Sequence, residues 1–95
     1  MSHPVRTYIS VKWIHAFPDE PILMVSELDQ DRMELRKIEY FKGGKVGIAS
    51  RSRCEAGTRL SEVPVPPLDR INEESEFVGE AISPDEFNAQ WDVYV

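Results

Sequence analysis

Tyr8-Ile9-Ser10-Val11-Lys12-Trp13-Ile14-His15 begins a stretch, running on to Ser50, in which four strand-like segments follow one another with little but turn residues between them. Alternation puts Ile9, Val11, Trp13 and His15 on one face of the first segment and Ser10 and Lys12 on the other, the mark of a half-buried strand. Phe17-Pro18-Asp19-Glu20-Pro21 interrupts it, because two prolines lack the N–H groups that a ladder needs. Ile22-Leu23-Met24-Val25 predicts a second, nearly continuous apolar strand. Asp29-Gln30-Asp31-Arg32 predicts a tight turn in which the first Asp accepts hydrogen bonds from the backbone ahead of it.

Met33 to Phe41 predicts a third strand. Leu35 falls out of step with Ile38 and Tyr40, so an extra residue near Arg36-Lys37, a β-bulge, is expected to restore the alternation. Gly43-Gly44 predicts a two-residue hairpin of the primed type with positive φ at both positions, and Val46-Gly47-Ile48-Ala49 the fourth strand. From Arg51 to Arg59 the chain has no periodicity and reads as loop. Val63-Pro64-Val65-Pro66-Pro67 predicts an extended surface segment, with Pro67 opening a short helix through Leu68, Ile71 and Glu74. Phe77 to Ile82 predicts one further short strand. Ser83-Pro84-Asp85-Glu86 offers a capping hydroxyl, a proline suited to the first turn and a Glu three residues after the cap, so a final helix starts at Pro84. Phe87, Trp91 and Tyr94 or Val95 then form an aromatic stripe on it.

These elements predict an α+β fold: a four- to five-stranded, mainly antiparallel meander with two short C-terminal helices on one face, the last helix lying over Trp13. Ninety-five residues suffice for a single domain spanning 1–95, with 1–6, including His3, as a fraying end. Hydrophobic residues make up 41% and charged residues 29%, and no apolar run approaches the roughly 20 residues of a spanning helix, which predicts a soluble protein without a membrane partner. Met1-Ser2-His3-Pro4-Val5-Arg6 contains no apolar core of a secretory signal, and the lone Cys54 has no internal partner, so the expected compartment is the reducing cytoplasm.

Charge is divided unevenly. Residues 1–59 hold ten Lys/Arg against eight Asp/Glu, net +2, while residues 60–95 hold one against nine, net −8. The acidic third repels phosphate backbones, which argues against nucleic acid and favours a basic protein partner met by Glu73, Glu74, Glu76 and Glu80. The plainer alternative is that these acids only solvate exposed surfaces.

Catalytic and ligand patterns are sparse. His15 is the single histidine within the predicted core, short of a metal set with one cysteine, and reads as a strand-end residue whose ring packs and hydrogen-bonds locally. Cys54 lacks the framing of an activated nucleophile, Asp19 and Glu20 are adjacent and project apart, and Gly43-Gly44 has no phosphate-loop spacing. The Arg51, Arg53, Gly57, Thr58, Arg59 loop could grip an anion, or pair its arginines with Glu55 and Glu62.

The runs Lys12-Trp13-Ile14-His15, Asp19-Glu20-Pro21, Ser26-Glu27-Leu28-Asp29, Arg36-Lys37-Ile38-Glu39, Gly57-Thr58-Arg59-Leu60 and Ile82-Ser83 with Glu86-Phe87 and Trp91 resemble a bacterial family of small stand-alone domains of unknown function. The likeness runs from about Tyr8 to Trp91. It implies no activity, cofactor, metal or catalytic residue, and Arg51-Ser52-Arg53-Cys54 departs from the more acidic loop expected there, which leaves Cys54 without a family role. Small acidic bacterial proteins often serve as immunity partners of toxins, an analogy of class. The function expected is therefore a non-enzymatic protein-binding module, of the immunity or regulatory kind. The alternative is a small-molecule or anion-binding domain, or a vestigial enzyme, around His15, Arg36 and Arg59.

Overall fold

A computed structural model describes residues 5–94; residues 1–4 of the end expected to fray, His3 among them, and Val95, an alternative member of the expected aromatic stripe, lie outside the described residues. The strands expected before Ser50 are β1 (Thr7–Trp13), β2 (Pro21–Leu28), β3 (Glu34–Phe41) and β4 (Val46–Ser50), each antiparallel to the next. β5 (Arg53–Glu55) continues the meander, and β6 (Phe77–Ala81) returns to pair with β1, so the order is β5-β4-β3-β2-β1-β6. Six strands replace the expected four or five. β5 escaped a sequence reading because its three residues are all exposed and carry no alternation.

The turns follow their local chemistry. Asp29 Oδ1 accepts from the N–H groups of Asp31 (2.8 Å) and Met33 (3.0 Å), and Arg32 N–H donates to the Asp29 carbonyl (2.9 Å), leaving Arg32 at φ 64°. The β3 bulge falls at Leu35, one residue before the expected place: Glu27 pairs with Arg36, but Leu28 pairs with Glu34. The β3–β4 hairpin has a three-residue loop, not the two-residue turn expected. Phe41 N–H donates to the Lys45 carbonyl (2.9 Å) and Gly44 N–H to the Phe41 carbonyl (3.2 Å), which places Gly43 third in its turn, while both glycines hold the positive φ expected of them, 93° and 99°.

The register divides the sheet's side chains between two apolar faces. Val25, Ile38 and Ile48 lie on one face, where Phe87 and Trp91 of helix α2 (Pro84–Tyr94) bury them. Ser83 Oγ accepts from the Glu86 N–H (3.1 Å), the predicted cap. Ile9, Val11 and Leu28 lie on the other face, under Val65, Phe77 and the residues Leu68 and Ile71 of helix α1 (Leu68–Ile71). The two helices thus cover opposite faces, not one, because β1 and β2 carry apolar side chains on both sides and each side needs its own cover. Trp13 is on the α1 side and half-buried, its ring 5.8 Å from that of Phe77 and 4.2 Å from His15, so α2 does not lie over it.

One segment, Thr58–Pro67, straps the α1 side of the sheet. Thr58 Oγ1 donates to Glu39 (2.7 Å) and Ser61 N–H to the buried Glu34 carboxylate (2.6 Å). Farther along, Arg32 donates through Nε to the Val65 carbonyl (2.7 Å) and through Nη2 to Pro66 (2.8 Å), while Val65 N–H donates back to the Arg32 carbonyl (2.8 Å). At the far edge, the Asn72 side-chain amide donates to the Gly79 carbonyl (3.0 Å) and accepts from its N–H (2.6 Å), imitating a neighbouring strand along β6.

Phe87→Ala should cost about 3–5 kcal/mol in a urea melt, as removal of a fully buried ring leaves a cavity between helix and sheet. Trp13→Ala should cost markedly less, in line with its half-exposed place.

Candidate functional site

The three residues of the ligand-binding alternative are kept apart by the fold. His15 Nδ1 accepts from the Phe17 N–H (2.9 Å), which leaves Nε2 as the donor to the Pro21 carbonyl (2.8 Å), and its ring stacks on Phe17 at 5.3 Å. Both ring nitrogens are occupied in fixing the turn between β1 and β2. Arg59 is exposed beside a recess of about 400 Å³ that Trp13, Asp19, Glu20, Glu39 and Lys45 also line. Arg36 lies on the α2 side of the sheet, so no polar cluster of His15, Arg36 and Arg59 forms.

Arg36 belongs to a different network. Its guanidinium donates to both oxygens of Glu27 (2.7 and 3.1 Å) and to Asn88 Oδ1 on α2 (2.9 Å), and it lies 4.7 Å above the Phe87 ring. Tyr8 donates its hydroxyl to Glu27 Oε2 (2.7 Å). Burial pushes the Glu27 carboxyl up, but the hydrogen bonds from Arg36 and Tyr8 and the charge of Arg36 outweigh it, and hold Glu27 below the usual carboxylate range. The same hydrogen bond to Glu27, with burial, raises Tyr8. Burial also pushes Tyr40 up to about 12, where its hydroxyl donates to Gln90 of α2 (2.6 Å). This face is closed by α2 and held together by its polar groups.

The α1 side is open. Between the strap and the α1–β6 connection lies a cleft of about 580 Å³, floored by Ile9, Val11, Met24 and Phe77, a size typical of ligand and side-chain pockets. At one end Glu34 accepts from Ser26 (3.2 Å) and pairs with Lys37 (3.2 Å), so its charge is compensated within the wall. At the other end stand Glu73 and Glu74, with Arg70 beside them. Glu76, also exposed, accepts from Trp13 Nε1 (3.3 Å). Glu80 lies opposite Ser10 and so faces the α2 side. The four predicted acids therefore divide: Glu73 and Glu74 edge the cleft, Glu76 flanks Trp13, and Glu80 is on the reverse.

Sequence reasoning missed the wall residues Glu34 and Lys37, and Arg32, which holds the strap at Val65 and Pro66. A signal existed, as Glu34, Lys37 and Glu39 put charge on one side of a central strand, which calls for a polar cover rather than an apolar helix.

A six-stranded antiparallel sheet covered by a helix on one face and by a strap and a one-turn helix on the other defines a small α+β domain with an open apolar cleft. Residues 7–95 match the family described as Domain of unknown function (DUF6881), and the chain belongs to it. No curated protein and no solved structure matches the chain. Among the described residues, no helix is long and apolar enough to cross a membrane.

Because Glu27 is held below its unfolded pKa, the stability it contributes is fully present above that value, near 4.3, and is lost as pH falls through the folded pKa. Glu27→Gln should destabilise by on the order of 1.5–3 kcal/mol at pH 7, and by less at pH 3, in thermal melts compared across that range.

Proposed function

We propose that the chain is a non-enzymatic protein-binding module that takes an apolar side chain of a basic partner into the cleft beneath the strap. The observation that carries this reading is the pairing of an apolar floor, Val11, Met24 and Phe77, with a rim formed by Glu73 and Glu74. An apolar anchor seated in such a pocket supplies lasting contact, and the rim acids draw in and orient flanking Lys or Arg residues. The net −8 of residues 60–95 adds a long-range attraction of the same sign. The strap is tied down at Glu39, Glu34 and Arg32, so its wall of the cleft is held before binding and little ordering cost falls on the complex. An immunity or regulatory protein is the kind of module that works by masking a basic surface in this way, and the cytoplasm is the compartment in which the exposed Cys54 stays reduced.

Selection of a random displayed peptide library on the immobilised protein tests the reading. Enriched peptides should combine an aliphatic or aromatic residue with neighbouring Lys or Arg. Met24→Trp, which fills the cleft, should weaken their binding about tenfold or more, and Glu73→Gln with Glu74→Gln should slow association and flatten its salt dependence. Peptides without basic residues, or binding indifferent to both variants, would sink the proposal.

A further inference from the structure

The two edges of the sheet are finished differently. On β6 the backbone groups of Gly79 that face away from β1 are taken by the Asn72 amide, and the Phe77 N–H by the Glu74 carbonyl (3.0 Å). On β5, whose Arg53, Cys54 and Glu55 are all exposed, the Glu55 carbonyl accepts from the Thr58 N–H (3.2 Å), and among the described residues nothing covers the backbone groups of Cys54. Ser50 and Arg53 flank a two-residue turn at Arg51-Ser52 and pair across it, so they exchange both backbone bonds. Ala49 and Cys54 come next and do not bond each other, which leaves the Cys54 N–H and C=O pointing outward. Arg53 and Glu55 are two apart and share a face, the guanidinium donating to Glu55 Oε1 at 2.8 and 3.1 Å.

This edge is self-complementary. Laid antiparallel against a second copy about a two-fold axis at Cys54, it sets each Cys54 opposite the other, exchanging two backbone hydrogen bonds. Arg53 then stands opposite Glu55 of the second chain, and Glu55 opposite Arg53, so each intrachain ion pair has an interchain equivalent on the same face. A parallel pairing or a shifted register would lose this match.

We propose that β5 is a homodimerisation edge, joining two sheets through antiparallel β5–β5 pairing centred on Cys54. The surface lies on the far edge from the β6 side of the binding cleft and is independent of it.

Sedimentation velocity over a concentration series reads the dimer, and a short bismaleimide, each maleimide adding one Cys54 thiol, reads the two-fold contact. The wild-type chain should dimerise with rising concentration and cross-link through Cys54. Glu55→Arg sets Arg against Arg and should weaken association by about tenfold or more. Combining Glu55→Arg with Arg53→Glu restores opposite charges across the axis and should restore the dimer. Both changes are at exposed positions, and circular dichroism checks that the fold persists. A monomer at every concentration, or a dimer that the single and double charge changes leave equally strong, would overturn the proposal.

Discussion

The sheet has two apolar faces, and among the described residues the segment after β5 covers both. That constraint shapes the rest. α2 closes one face with Phe87 and Trp91, stacked 6.1 Å apart, and its polar side chains Asn88 and Gln90 are drawn down to Arg36 and Tyr40. On the second face α1 is a single turn, too short to form without docking. An extended strap does the work of a helix there. Because an extended chain brings backbone polar groups against the sheet, Arg32 and Glu34 meet those groups directly, and Glu39 accepts from the Thr58 hydroxyl.

This division explains where the cleft arises. A helix presents a continuous apolar stripe and seals what lies beneath it, as on the α2 side. A strap and a one-turn helix leave a gap between them, and the gap exposes Met24 and Phe77 from a face that a longer helix would have buried. The cleft is thus a product of economical cover, and its acidic rim comes from the connection that leads out of α1 into β6.

Much of the framework was legible in the residues themselves. β1 to β4, β6 and α2 announce themselves through alternation, paired glycines and the Ser83 cap, all of which act over a few neighbouring positions. The strap's course was not legible, because Arg32 holds Val65 and Pro66 from more than thirty positions away and no local pattern encodes that distance. The side on which each helix lies was equally hidden: Leu68 and Ile71 are as apolar as Phe87 and Trp91, and only the register of β6 beside β1 sends α1 to one face and α2 to the other. Of the candidate site residues, Glu73 and Glu74 edge the cleft. Arg36 proved to be a fastener between sheet and helix, a role its neighbours in sequence do not betray.

The Asn72 amide on Gly79 has a consequence for how far such a sheet can grow. A strand edge with free N–H and C=O groups is a template on which chain after chain can stack into a filament. An edge whose groups already hold a side-chain imitation of a peptide offers no such template, and Gly79, against which a Cβ would press into Leu68, keeps that imitation close. Growth stopped at the β6 end leaves the β5 edge alone for pairing: with β5 joined to a second copy as proposed, the sheet is extended once and then terminates.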